Sequence, residues 1–521
     1  MQDYALTVDR FLDHGAKWHG QTRVITAGEA GDQTIGYAEL RDRANRLSGG
    51  LLSLGLGPGD RIATLAWNSQ HHVEVWYAAM GAGLVCHTLN PRLTIAHLAA
   101  MITEAGDRVL AVGAGLAAMA KALAASCPCL EHLILLDGDL PAAVRWAPAT
   151  DLETLLSDHG RSTPWGQFDE RSLAGLCFTS GTTGAPKGVA YTHRSNYLHT
   201  IRSLQADAFA LTAADVVLVA VPMFHANAWG LPFSAPAVGA SMVLPGRVTD
   251  GRSLADLINR YGVTVAVGVP TVWLGLLDHL DATGGETPSL ERIIIGGTSC
   301  PDTLLKRMES RLGATVQTSW GMTELSPQGT ISPRSDKPGA ARGAGRPPMG
   351  LDLLLTDAGG TPLPDQRNAV GHLKVRGQSV VQRYFGASES ALDADGWFDT
   401  GDLAIIDDAG NLTLAGRSKD LIKSGGEWIN PVEIEEIVGA LPSVSLVAVI
   451  GSADAKWGER PLMVVEPAQG QTLEDAMLKA SLKGRVADWW IPDRIVQVAA
   501  MPLAATGKIN KTLLRATYGG A

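Results

Sequence analysis

Short apolar, β-rich runs alternate with longer stretches of helical periodicity along most of this 521-residue chain. That alternation constrains the fold more than any other feature of the sequence. Over residues 37–54 apolar side chains recur at helical spacing, and Gly55-Leu56-Gly57-Pro58-Gly59-Asp60 supplies the turn residues that end the helix. Residues 61–66 then read as a strand, 71–82 as a helix and 85–89 as a strand. Further short β-rich runs lie at 216–221, 241–244, 263–269 and 292–295, with helical stretches between several of them. This order implies an α/β domain of mainly parallel sheets with helices on their faces. Around 341–376 the texture becomes glycine- and proline-rich with short strands, which predicts a smaller β subdomain. A boundary falls near Gly416-Arg417-Ser418-Lys419-Asp420. Beyond it the pattern predicts a helix over 431–441, strands over 445–451 and 461–465, a helix over 473–486 and a strand over 494–498. The chain therefore divides into a large N-terminal domain, 1–416, and a small α+β C-terminal domain, 417–521, a size usual for a separate domain.

Within this pattern, the apolar segment Leu173-Ala174-Gly175-Leu176-Cys177-Phe178 reads as a buried strand and runs directly into Thr179-Ser180-Gly181-Thr182-Thr183-Gly184-Ala185-Pro186-Lys187-Gly188. Glycines let a backbone turn tightly and bring its N–H groups against an anion; hydroxyls add donors and Lys187 adds charge. Such a loop suits phosphate, and the same composition also suits a flexible surface loop. The spacing is not that of a P-loop, because Lys187 follows Pro186 and precedes Gly188.

The net charge of −10 argues against non-specific nucleic-acid binding, which relies on clustered basic residues. An anionic ligand such as phosphate would then need a local positive cleft inside an acidic protein. Residues 216–246 are uncharged and long enough to span a bilayer, but Pro222, Pro232, Pro236 and Pro245 interrupt them, so no membrane helix is expected. The N-terminus has no basic start followed by an apolar core. The five cysteines are odd in number, and Cys127-Pro128-Cys129 lacks the spacing of zinc or redox pairs. These features fit a reduced, cytoplasmic protein.

The glycine-hydroxyl loop resembles the phosphate loop of the adenylate-forming superfamily: acyl-CoA synthetases, firefly luciferases and the adenylation domains of peptide synthetases. Further matching segments follow in the family's order. They are Trp320-Gly321-Met322-Thr323-Glu324, Gly396-Trp397-Phe398-Asp399-Thr400-Gly401-Asp402, Gly416-Arg417-Ser418-Lys419-Asp420 and Thr506-Gly507-Lys508. The resemblance implies a mobile C-terminal domain, with ATP, Mg²⁺ and coenzyme A as the small molecules used. It implies that Thr179, Ser180, Gly181, Thr182, Thr183, Gly184 and Lys187 hold phosphate, and that Glu324 and Thr179 bind Mg²⁺. Met322 and Thr323 would stand beside them. Trp320 would lie against adenine, with Gly296, Gly297 and Gly321 around the adenine and acyl site. Asp402 would accept the ribose hydroxyls and Arg417 would add a contact. Lys508 would reach across a domain cleft to the charge developing between carboxylate and α-phosphate. Lys419 matches the hinge, and Lys423, Gly425 and Gly426 would line the CoA tunnel.

Pro222-Met223-Phe224-His225-Ala226-Asn227-Ala228-Trp229-Gly230 looks like the corresponding segment of bacterial medium-chain fatty acyl-CoA ligases and 3-methylmercaptopropionyl-CoA ligases. His225 would gate or polarise the acyl site and Trp229 would shape its wall. Acetate-specific relatives carry tryptophan where this chain has Gly321, so glycine is expected to leave the pocket open to longer acids. The expected function is an ATP-dependent acid–CoA ligase acting through an acyl-adenylate on a medium-chain fatty acid. A 3-methylmercaptopropionate–CoA ligase, adenylation for a non-CoA acceptor and a silent acyl-adenylate-binding protein are the alternatives. A homodimer is a common arrangement in such enzymes, but no interface is legible in the sequence.

Overall fold

A computed structural model describes every residue except 30, 139–147, 180–185, 299, 335–342, 426, 469, 505–507 and 521. Four sheets organise it. The first runs in the order Ala149–Asp151, His132–Leu135, Val109–Val112, Arg61–Leu65, Val85–Thr88, Leu173–Thr179, Lys187–Thr192, with only the last pair antiparallel. The second runs Gln328–Ile331, Thr315–Gly321, Arg292–Ile295, Val265–Gly268, Val216–Val219, Ser241–Leu244, Arg23–Thr26, Gln33–Gly36; its two outermost pairs are antiparallel and the rest parallel. Strands such as Val109–Val112 and Val265–Gly268 are buried along their whole length, as expected where both faces of a parallel sheet are covered.

One core lies between these two sheets, built around Trp76, Tyr37, Tyr77 and Phe233. Asn68 pins them together at the end that faces the candidate site. Its amide donates to the Val219 and Val221 carbonyls at 2.9 and 2.8 Å and its oxygen accepts the Met223 N–H at 2.7 Å. A buried asparagine with both ends satisfied fixes the course of the backbone it bonds.

The β subdomain is a four-stranded antiparallel sheet, Leu351–Thr356, Gly371–Gly377, Phe398–Ile406 and Leu412–Arg417. It extends further along the chain than the glycine- and proline-rich texture suggests. A single 3₁₀ turn, Ser418–Asp420, then leads to a five-stranded sheet dominated by the hairpin Val444–Asp454 and Gly458–Pro467. Both hairpin strands overrun the expected spans, because a continuous antiparallel ladder pairs residues that have no apolar pattern of their own. The helix expected over 473–486 is shorter, Asp475–Leu482. Among the described residues no helix is long and apolar enough to cross a membrane.

Residues 344–346 join the four-stranded sheet to the second sheet. Leu412 N–H donates to the Gly345 carbonyl at 2.7 Å, and Ile331 and Arg346 exchange two hydrogen bonds of 3.0 Å. Gly345 has φ +74°, and a Cβ there would overlap the Ile331 backbone. Gly345→Ala is therefore expected to destabilise the fold by about 3 kcal/mol or more through backbone strain and overlap, read as a lower midpoint in denaturant unfolding.

Candidate active site

Thr179 ends one strand and Lys187 begins the next, and the two face each other in antiparallel register. Ser180, Gly181, Thr182, Thr183 and Gly184 lie outside the described residues. The Lys187 ammonium stands 4.9 Å above the Tyr384 ring, and the Tyr384 hydroxyl donates to Glu324 Oε1 at 2.9 Å. Burial drives the Tyr384 hydroxyl above its ordinary range, and the Glu324 carboxylate beside it adds to the shift. Glu324 sits in a short 3₁₀ turn, Thr323–Leu325, whose first carbonyl accepts the Tyr191 hydroxyl at 2.9 Å. Met322 is half-buried and its N–H donates to the Pro327 carbonyl at 3.0 Å. Tyr384 thus brings Lys187 and Glu324 to one place. No motif in the sequence marks Tyr384, since an isolated tyrosine carries no spacing signal.

Trp320 is only 5% exposed, with one indole face packed on Gly329. Its Nε1–H donates to Asp402 Oδ2 at 3.0 Å, while Asp402 Oδ1 pairs with Arg417 Nε at 2.6 Å. Burial pushes the Asp402 carboxyl up, and Arg417, the indole N–H and Lys508 oppose that shift. The residue expected to face adenine is thus also the one that orients the expected ribose acceptor.

Gly296 and Gly297 follow the strand Arg292–Ile295, and Gly297 has φ +83°. A Cβ on Gly296 would lie 2.5 Å from Ser319 Oγ and 3.0 Å from Trp229 Cη2. A Cβ on Gly297 would lie 3.8 Å from both Lys508 Cε and Trp229 Cζ2. The two glycines therefore make room for an indole and for a lysine stem arriving from the C-terminal sheet. Burial and the Arg417 charge lower the Lys508 pKa, while Asp402 and Glu324 raise it.

Residues 226–229 turn in the left-handed region, with φ of 45°, 55°, 47° and 56°, although none is glycine. Such a conformation costs roughly 1–2 kcal/mol per residue and persists where the surroundings over-determine it. It sets Trp229 over the two glycines and His225 at a small cavity with Thr88, Asn90, Leu93, Met101, Phe178 and Phe224. Burial and the Lys508 charge push the His225 pKa down to about 4, so the ring is neutral at physiological pH. Phe224 and Phe178 belong to segments already singled out in the sequence, whereas Thr88, Asn90, Leu93 and Met101 come from a distant stretch with no motif to mark it.

A Cβ on Gly321 would overlap the Pro327 carbonyl oxygen and come within 3.2 Å of Gly329 N. Backbone therefore approaches Gly321 closely on the side where a Cβ would stand. Lys423 and Gly425 are not gathered with Lys508. They lie on an exposed hairpin, with Lys423 Nζ 5.4 Å from the Trp428 ring centroid and the Gly425 N–H donating to the Trp457 carbonyl at 2.8 Å. Gly426 lies outside the described residues. Lys419 occupies the 3₁₀ turn between the last two sheets, where burial lowers its pKa, and its neighbour Asp420 pairs with Arg515 at 2.6 Å.

Residues 12–385 match the AMP-binding enzyme family, and residues 433–508 match the AMP-binding enzyme C-terminal domain. The chain belongs to the AMP-binding enzyme family. It is 42% identical to a 3-methylmercaptopropionyl-CoA ligase of Ruegeria lacuscaerulensis, over 100% of this chain and 99% of that one. It is 39% identical to a medium-chain-fatty-acid–CoA ligase of Ectopseudomonas oleovorans, over 99% and 96%. The crystal structure of ATP-bound MatB from Rhodopseudomonas palustris superposes with a TM-score of 0.84 at 27% identity, covering 98% of this chain and 99% of that one.

Because backbone rather than open space faces Gly321, Gly321→Trp is expected to lower activity on acetate and octanoate alike and to reduce thermal stability. A panel of acids of increasing length, run beside a melting curve, checks this.

Proposed function

We propose that this chain is an AMP-forming acid–thiol ligase. A carboxylate oxygen attacks the α-phosphorus of ATP and expels pyrophosphate; the CoA sulfur then attacks the acyl carbonyl and expels AMP. The observation that carries this reading is Lys508 packed beside Gly297 and Trp229, within the electrostatic reach of Asp402 and Glu324. The first step joins two anions, so an ammonium aimed at the reacting centre lowers its barrier. In this assignment Lys187 and the loop from Thr179 to Gly184 bind the β- and γ-phosphates, and Asp402 and Arg417 take the ribose. Trp320, Gly296, Gly297, Gly321, Met322 and Thr323 surround adenine and the α-phosphate. His225, neutral, and Trp229 wall the acid.

Glu324 suits Mg²⁺ chemically: it is a buried hard-oxygen donor, and Tyr384 engages one of its two oxygens. Among the described residues no cluster of three or more His, Cys, Asp or Glu side chains could hold a metal. Glu324 and Thr179 would therefore share the ion with nucleotide phosphates, where it supplies charge neutralisation.

For the second step we assign residues 417–521 to a body that rotates at Lys419 and brings Lys423, Gly425 and Gly426 to the thiol path. A medium-chain fatty acid is the first choice of substrate, in keeping with the 39% identical relative. A short thioether acid such as 3-methylmercaptopropionate is the second, favoured by the Trp229 indole that packs against Gly296 and by the 42% identical relative. The five cysteines are all unpaired, which supports a cytoplasmic setting.

AMP formation on a panel from acetate to octanoate, with 3-methylmercaptopropionate, tests the function; acid-dependent pyrophosphate release in which CoA is never acylated would overturn the CoA assignment. Lys508→Ala is expected to cut adenylate formation by about 10²-fold or more while leaving supplied acyl-adenylate convertible to acyl-CoA. Lys419→Pro, which fixes φ, is expected to do the reverse, sparing pyrophosphate exchange and suppressing thioester formation. Measuring the two half-reactions separately decides both.

A further inference from the structure

One buried, ionisable side chain beside the site has no part in the chemistry above. His199 lies on the helix His193–Ser203, which Thr192 and Ser195 start with a reciprocal capping box. Asn196, His199 and Arg202 recur every three residues and share one face of that helix. His199 is 1% exposed, and its Nε2 accepts the Gln328 N–H at 3.1 Å. Arg202, one turn on, donates to the Gln328 carbonyl at 2.5 Å. The helix thus holds both backbone groups of the residue that closes the 323–328 loop, the loop that carries Glu324.

The same imidazole meets the acid side of the site. Gly230 ends the left-handed turn with φ +81°, and a Cβ there would lie 3.0 Å from His199 Cε1 and 3.1 Å from Nδ1. The ring therefore occupies the space that any other residue at 230 would need. Asn196, on the same face, accepts the Asn227 amide from within the turn at 3.4 Å. One imidazole is packed between the backbone that carries Glu324 and the backbone that carries His225 and Trp229. An Nε2 that accepts must carry no proton, and burial keeps the His199 pKa well below its ordinary value.

From this packing we infer that His199 is a positioning residue that keeps the Glu324 loop in register with the His225–Trp229 turn, so that metal-bound phosphate and the acid carboxylate meet at the correct distance. It touches neither substrate and acts through Gln328 and Gly230. The inference rests on the ligase reading above. It predicts a specific pattern: loss of the acceptor should harm the step that needs acid, metal and phosphate aligned, and should spare the step that does not.

The test compares wild type, His199→Leu and His199→Gln by acid-dependent pyrophosphate exchange over a Mg²⁺ titration, by thioester formation from supplied acyl-adenylate and by melting temperature. Displacing a group that orients a metal ligand typically changes activity or metal affinity by about 10–100-fold. His199→Leu is expected to lower the exchange rate and raise the Mg²⁺ requirement by about tenfold or more, with thioester formation within about threefold of wild type. His199→Gln, whose side-chain oxygen can accept from Gln328, is expected to recover most of the loss. Equal loss of both half-reactions, no loss in His199→Leu, or a glutamine variant no better than leucine would overturn the assignment. If the leucine variant does not fold, the glutamine variant decides: within about threefold of wild type supports the inference, and a deficit of tenfold or more overturns it. If wild type shows no acid-dependent exchange, the ligase reading fails, and calorimetric titration of Mg²⁺ and ATP into the same proteins judges His199. Weakening by leucine with recovery by glutamine then supports its role toward Glu324, and equal affinities overturn it.

Discussion

The carboxylate of Asp402 is the joint on which the site depends. One oxygen receives the Trp320 indole N–H from the large parallel sheet. The other holds Arg417, the last residue of the four-stranded sheet before the chain passes to the terminal one. A buried carboxylate is stable only when its oxygens are partnered, and here the partners come from different parts of the fold. Satisfying one group therefore aligns two sheets and fixes the residue at which the chain leaves the second of them. It also leaves a negative charge close enough to bear on Lys508.

On the acid side the organising constraint is strain. Four consecutive non-glycine residues in the left-handed region would not hold that shape alone. They are bracketed by Asn68, which fixes Met223 just upstream, and by the helix carrying Asn196 and His199, which receives Asn227 and Gly230. The chain thus spends conformational energy to set an indole across two glycines, and recovers it from polar contacts that are complete only in the folded state.

Much of this was legible in the sequence, and the failures have identifiable causes. The α/β alternation followed from short apolar runs such as 61–66 and 292–295, because strands buried on both faces need no polar alternation. Glu324, Asp402, Arg417 and Lys508 were named through local motifs, and the fold brings them within one another's electrostatic reach. Tyr384 and His199 were missed because each acts through a single hydrogen bond to a residue distant in the chain, and Phe178 because it meets His225 only at the wall of a cavity, with no spacing to betray it. Gly321 shows the ambiguity of a glycine: the letter is the same whether it makes space for a ligand or for a neighbouring backbone, and here the Pro327 carbonyl stands on its Cβ side.

The attachment of Lys508 has a geometric consequence. Its carbonyl accepts the Ala504 N–H at 2.6 Å, Lys511 pairs with Glu435 at 2.7 Å and Arg515 with Asp420 at 2.6 Å. The lysine is therefore carried at the end of an arm whose near end is the 3₁₀ turn at 418–420. In any lever a small angular error at the pivot becomes a large linear error at the tip. How closely the Lys508 stem meets Gly297 therefore depends in part on residues that touch no reacting atom, and a substitution that merely loosens them would blur the site without altering any group in it.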